Sequence, residues 1–224
     1  MILGIDTSLG TAVAVVEGDG LVRAEASSEN PLGHAEVIGE LLQRVIADAA
    51  FGPVGATHAP DDAAVTYVAA GMGPGPFTGL RVGIAAARAF ALGRGVPVIP
   101  VPSHDAVALG VLLDDAVRDA ASPRFAVVTD ARRKEFAYTV YDGLDDDGLP
   151  IRVTEPGLVP REDLDDVLAG LGAQRRDAAS VPAAMVALVA ARALAADRRL
   201  ASSEPLYLRA PDVTLPAGPK RVTA

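Results

Sequence analysis

The sequence predicts an α/β protein of two lobes, each a mixed sheet with crossover helices. Three observations predict it. The chain has 224 residues, enough for one large domain or two small lobes with a sizeable core. Short β-rich runs alternate with segments whose apolar residues recur at helical spacing. A short apolar strand that stops on an aspartate occurs twice, at residues 2–6 and 125–130, so the two halves read as related.

The elements follow in order. Residues 2–6, 11–17 and 21–26 read as strands separated by tight turns at Gly10 and at Gly18-Asp19-Gly20, which makes an antiparallel meander. Residues 34–50 read as a helix, since Val37, Ile38, Leu41, Leu42, Val45, Ile46 and Ala49 share its period. Residues 52–63 are rich in Pro, Gly and Asp and read as loop. A strand at 65–70 leads into the turn at 71–76. Thr78 is suited to cap a helix reaching about Leu92, and a strand at 96–101 closes the unit. Strand, strand, strand, helix, strand, helix, strand is half of an actin-like fold.

The second half begins with a helix over 105–120, then strands at 125–130 and 135–141 and a further one expected over 151–158. Helices are expected at 162–171 and 181–196, and 205–209 reads as a short extended piece. The division expected is 1–103 for the N-terminal lobe, 104–210 for a smaller C-terminal lobe, and 211–224 for a tail containing Pro and Gly.

Composition narrows the function. Half of the residues are apolar and only 4% are aromatic, so a folded core of small aliphatic residues is expected. The formal net charge of −9 repels nucleic-acid phosphates at long range, which argues against strong nucleic-acid binding by this chain alone. Basic clusters such as Arg132-Arg133-Lys134 read first as solvated surface charge. There is no cysteine, which excludes disulfides and thiolate chemistry. The N-terminus has no signal-peptide pattern and no apolar run suits a bilayer, so a soluble cytoplasmic protein is expected.

Three motifs bear on chemistry. Asp6, Thr7 and Ser8 close the first strand. An aspartate there can hold a metal-bound water, and a small hydroxyl can approach a phosphate. The same residues equally close a β-turn. The segment Gly71-Met72-Gly73-Pro74-Gly75-Pro76-Phe77-Thr78-Gly79 lies between a strand and a helix, where anions bind. Its two prolines donate no N–H and no Lys-Ser/Thr follows, so a stiff structural turn is the better reading. The helix beyond it, residues 79–92, is apolar or small on nearly every face apart from Arg81 and Arg88. Such a helix must be covered all round, by its own lobe or by another chain. His34, His58 and His104 are too far apart in sequence to form a zinc-type pair.

Several strings carry a resemblance. They are Ile2-Leu3-Gly4-Ile5-Asp6-Thr7-Ser8, the segment 71–81 running into an Ala-rich helix, Asp130-Ala131-Arg132-Arg133-Lys134-Glu135, and Pro205-Leu206-Tyr207-Leu208-Arg209. In this order, along most of the chain, they resemble the TsaB (YeaZ) family. The resemblance implies a two-lobed actin-like fold of the ASKHA, ribonuclease H-like kind, with mixed sheets and a reduced second lobe. It implies kinship with TsaD, which transfers a threonylcarbamoyl group to N6 of the adenosine beside the anticodon in tRNAs reading A-starting codons. It also implies pairing with TsaD through N-terminal helices, association with TsaE, and homodimers in isolation. Any tRNA contact would come mainly through the complex.

Departures from the active relative are expected to matter. Where TsaD carries a metal-binding His-x-x-x-His, this chain has His104 followed by Ala108. The turn Asp130-Ala131-Arg132 lacks the glycine of actin-like ATPases, and no apolar strand is evident before 175–177. The expectation is therefore a non-catalytic subunit with no metal and no cofactor of its own, ATP or Mg entering only at a shared site of the complex. The expected partner interface is Ile38, Leu42, Val82, Ala86 and Phe90. The expected vestigial nucleotide site is Asp6, Thr7, Ser8 and Asp130. The alternative is an actin-like small-molecule kinase or ATPase that uses Asp6 and Asp130.

Overall fold

The computed structural model describes residues 1–28, 33–51 and 64–209. The first sheet has strand order β3-β2-β1-β4-β5, built from β1 (Ile2–Asp6), β2 (Thr11–Val16), β3 (Val22–Ser28), β4 (Tyr67–Gly71) and β5 (Val98–Val101). β1 runs antiparallel to β2, with Ile2 opposite Val16, and parallel to β4, with Ile2 opposite Tyr67. The helices of this half are α1 (His34–Phe51) and α2 (Phe77–Arg94).

The second sheet has order β10-β6-β7-β8, with β9 also on β7. Its strands are β6 (Phe125–Asp130), β7 (Glu135–Leu144), β8 (Pro150–Arg152), β9 (Gly157–Pro160) and β10 (Gln174–Asp177). α3 (Ser103–Val117), α4 (Leu164–Gly170) and α5 (Ala183–Ala195) complete the described elements.

Side-chain alternation along the strands sets the layers. In the first sheet Leu3, Ile5, Val13 and Val15 face α1 and α2, while Ile2, Ala14 and Val16 face the opposite way. That opposite face packs on α3 and α5, and through them on Phe125, Val127 and Tyr141 of the second sheet. The far face of the second sheet, with Ala126 and Val128, covers Leu164 and Leu168 of α4. The order of layers is therefore helices, sheet, helices, sheet, helix. Both sheets are covered on both sides, which is why β1, β2 and β6 read as almost unbroken apolar runs.

Several expectations need correction. Residues 174–177 do form a strand. β10 pairs parallel with β6 although its sequence is Gln-Arg-Arg-Asp, because an edge strand needs backbone partners and no apolar pattern. The stretch expected as one strand at 151–158 is two, and they pair with opposite ends of the ten-residue β7. α2 starts at Phe77, with Pro76 at the cap position and no side-chain cap bond, so Thr78 is not its cap. α3 starts at Ser103, two residues early. Residues 205–209, read as a short extended piece, join no sheet; the Leu206 N–H donates to the Met72 carbonyl just beyond β4 at 2.7 Å, and Tyr207 packs on Phe77 at the start of α2. The loop expected at 52–63 and the tail expected at 211–224 lie outside the described residues.

Candidate functional site

β1 ends at the junction of the loop before α2 and the start of α3. Asp6 sits there, 2% exposed. The Ser8 N–H donates to Asp6 Oδ1 at 2.7 Å, and the Ser103 hydroxyl donates to Asp6 Oδ2 at 2.5 Å. The Ser8 hydroxyl lies 3.2 Å from the same Oδ2 and 2.8 Å from Ser103 Oγ. Ser103 is fixed in turn by Gly73, whose N–H donates to Ser103 Oγ at 3.0 Å and whose carbonyl accepts from the Ser103 N–H at 2.7 Å. A Cβ on Gly71 would come within 1.8 Å of Asp6 Oδ2, so glycine is required for the carboxylate to lie against β4. Burial pushes the Asp6 carboxyl up to about 6 against the pull of these hydrogen bonds. Both of its oxygens are engaged by protein donors.

Thr7 reaches the other way, into α2. Its hydroxyl donates to the Gly79 carbonyl at 2.7 Å and accepts from the Gly83 N–H at 3.1 Å. A Cβ on Gly83 would stand 2.1 Å from Thr7 Oγ1. The Gly residues of the loop and first turns of α2 thus serve close packing of the β1–β2 turn. The sequence offered a phosphate cradle as the other use of these glycines, and the contacts favour the structural use.

Asp130 is in a different setting. It is exposed, at the start of the β6–β7 turn. The Arg132 N–H donates to Oδ1 at 2.7 Å and Arg161 pairs with Oδ2 at 2.8 Å. The first of these, helped by Arg161, holds its carboxyl below the usual range. Arg132, Arg133 and Lys134 all have positive φ, at 62°, 51° and 62°. Three successive non-glycine residues in that region carry a conformational cost of order 1 kcal/mol each.

Between that turn and the loop before α2 lies a cleft of about 580 Å³. Pro74, Pro76, Phe77, Leu158, Tyr207 and Leu208 supply apolar wall, and Asp130, Arg132, Arg133 and Arg209 supply charge. Asp130 lines it; Asp6, Thr7 and Ser8 do not. The expected nucleotide residues are therefore divided between a sealed hydrogen-bonded cluster and an open cleft. Tyr207 closes one side by packing on Phe77, with ring centroids 4.5 Å apart, while Arg81 lies 3.7 Å over the Phe77 ring and donates to the Tyr207 hydroxyl at 3.2 Å.

His104 is a core residue. Its ring lies between Thr139 Oγ1, 2.8 Å from Nδ1, and Thr129 Oγ1, 3.0 Å from Nε2, with no exposure. Burial pulls it down to about 3, so it is neutral and ties α3 to the second sheet. Among the described residues no group of three or more His, Cys, Asp and Glu is placed to hold a metal ion, and no helix is long and apolar enough to cross a membrane.

The residues expected at a partner interface lie on the outer helices. Ile38 is 8% exposed and belongs to the lobe's own core. Leu42, Val82, Ala86 and Phe90 are half-buried. Between them Ala85, Ala89 and Leu92 form an exposed stripe on α2, with Leu92 at 85%. Ser103 and the cleft wall of 207–209 were given no site role from sequence, although residues 205–209 were among the strings that carry the resemblance. Ser103 carries no motif of its own, and residues 207–209 show no period.

Comparisons with known proteins place the chain. The family model described as TsaD: tRNA N6-adenosine threonylcarbamoyltransferase matches residues 26–148. An uncharacterized protein of Mycobacterium tuberculosis strain H37Rv is 36% identical over 226 residues, covering 94% of this chain and 92% of the relative. The tRNA threonylcarbamoyladenosine biosynthesis protein TsaB of Escherichia coli K12 is 31% identical over 140 residues, covering 62% of this chain and 54% of that protein. Among solved structures, YeaZ from Pseudomonas aeruginosa matches with a TM-score of 0.70 at 21% identity, covering 92% of this chain and 99% of that one. This match bears out the actin-like fold.

Proposed function

The chain belongs to the TsaD-related family of tRNA threonylcarbamoyladenosine proteins that includes TsaB (YeaZ), and from that premise we propose that it is a non-catalytic subunit of the tRNA-modifying assembly. In this reading it pairs with TsaD through α1 and α2 and serves N6-threonylcarbamoylation of the adenosine next to the anticodon. TsaE joins the pair, and the chain forms homodimers through the same face when alone. Its contact with tRNA is mediated mainly by the complex.

The observation that carries the reading is the stripe on α2. Val82, Ala85, Ala86, Ala89 and Leu92 follow one another at helical spacing, and all are exposed or half-buried. Small side chains let a second helix approach to the roughly 8–10 Å of close packing. A leucine exposed at 85% in such a stripe is the kind of anchor that a partner covers. The sealed state of Asp6 also supports an accessory role. A kinase using Asp6 and Asp130 would need a free carboxylate at β1, and this one is occupied by Ser8 and Ser103.

Co-purification with TsaD tests the proposal. Val82→Glu and Ala86→Arg each place a charge in the stripe and should abolish co-elution, while circular dichroism and melting temperature of the isolated chain stay near wild type. Undiminished complex formation by both variants would overturn the docking face. Turnover of Mg-ATP by the purified chain alone would overturn the accessory role.

A further inference from the structure

α2 carries the charge opposite to that of the chain. It holds Arg81, Arg88 and Arg94 and no carboxylate, in a chain of net charge −9. All three arginines are exposed. Among the described residues none of them forms an ion pair. By contrast Arg44 of α1 and Arg118, just after α3, each pair with an aspartate four residues away. The contacts of the α2 arginines are all neutral. Arg81 lies over the Phe77 ring and donates to the Tyr207 hydroxyl, Arg88 donates to the Ser203 carbonyl, and Arg94 lies 5.6 Å from the centre of the Phe90 ring.

Their positions matter as much as their number. Successive residues of a helix turn by about 100°. That puts Arg81 and Arg88 along one edge of the stripe of Val82, Ala85, Ala86, Ala89 and Leu92, and Arg94 along the other. Charges at the edges of an apolar seam set partner choice in paired helices. The seam itself selects little, because small side chains admit any closely fitting helix.

Resting on the docking face described above, we infer that these arginines choose the partner by charge: the surface that covers the stripe carries carboxylates opposite Arg81 and Arg88, and the α2 of a second copy does not. Guanidinium and carboxylate meet in paired charge-assisted hydrogen bonds. A symmetric pair of this chain through the stripe sets α2 against α2, so arginine edges meet arginine edges with no acid on either helix. Attraction favours the pair with TsaD, and repulsion weakens the homodimer.

TsaD binding by calorimetry and self-association by sedimentation, both on the full chain at low and high salt, test this. TsaD affinity should fall as salt rises, and self-association should strengthen. Arg81→Gln with Arg88→Gln should weaken TsaD binding about fivefold at low salt and strengthen self-association, opposite changes that damage to the fold would not produce. Arg81→Lys with Arg88→Lys loses the guanidinium contacts but keeps the charge, and should keep most of the TsaD binding. Salt-independent TsaD affinity, or a glutamine pair that binds TsaD like wild type, would overturn selection by charge while Val82→Glu still abolishes docking. Undiminished TsaD binding by Val82→Glu would instead overturn the docking face, and this inference with it.

Discussion

Thr7 and Asp6 are adjacent, and each fixes a different element. Thr7 stands between the Gly79 carbonyl and the Gly83 N–H of α2. Thr7→Val keeps the shape and removes both bonds, while the Gly79 carbonyl and the Gly83 N–H, four residues apart in α2, remain placed to bond each other. A loss of about 0.5–1.5 kcal/mol is expected from urea unfolding. Gly83→Ala puts a methyl where Thr7 Oγ1 now lies and should cost about 1–3 kcal/mol by overpacking. Asp6 gives a pH signature. Its carboxyl is raised from 3.8 to about 6 by burial, so the native state holds this proton more tightly than the unfolded chain. Its influence on stability is therefore most favourable below pH 3.8 and declines as pH rises to about 6, by up to about 3 kcal/mol. Asp6→Asn should flatten that decline relative to wild type, measured as urea midpoints across the same interval. An unchanged pH profile in the variant would show that Asp6 titrates normally.

α2 shows how much of an element a sequence reveals. Its period and its small residues were legible; its end, expected at about Leu92, lies at Arg94, where Gly95 closes it in the left-handed region at φ 67°. Its start was not legible, because Pro76 fills the cap position without any side-chain bond. Nor was the segment that covers it. Residues 200–209 return from the second half and lie across α2, with Arg88 donating to the Ser203 carbonyl and Tyr207 packed on Phe77. Such a segment has no repeat to detect, since its contacts are to a helix more than a hundred residues away. β10 was missed for a related reason: its four polar residues are placed by backbone bonds to β6. By contrast β1, β2 and β6 were legible because burial on both faces demands apolar side chains throughout. The candidate site was legible only in part. Asp6, Thr7, Ser8 and Asp130 stood out as motif residues, yet their division between a sealed cluster and an open cleft depends on Ser103, Arg161 and Tyr207. Tyr207→Ala should lower stability by about 1–2 kcal/mol, through loss of the ring pair and some apolar burial. Hydrogen exchange should then quicken along 200–209 more than in β1. Exchange left unchanged along 200–209 would mean that Tyr207 does not hold it.

Across the whole molecule the two sheets are joined through the middle helix layer, and Arg152 links three parts of it. It pairs with the buried Asp105 of α3 at 3.0 Å and donates to the Leu200 carbonyl at 3.0 Å, while Tyr141 of β7 donates to the same carboxylate at 2.7 Å. Arg152→Met leaves Asp105 buried without its counter-charge and should cost about 3–5 kcal/mol. Burial already pushes the Asp105 carboxyl up, so the deficit should shrink as acid neutralises it. Pairing Arg152→Met with Asp105→Asn should cost less than the two changes summed, and strict additivity would deny the coupling. The placement of α5 has a further consequence for synthesis. It packs on β1 and β2 but follows every other described element in chain order, so it emerges from the ribosome long after those two strands. Until about residue 195 has emerged, the inner face with Ile2, Ala14 and Val16 lacks part of its cover, so the nascent chain carries an adhesive surface up to that point. Ribosome-stalled chains ending before Ala183 should be held by chaperones or aggregate, and those carrying α5 clear of the exit tunnel should be released and compact.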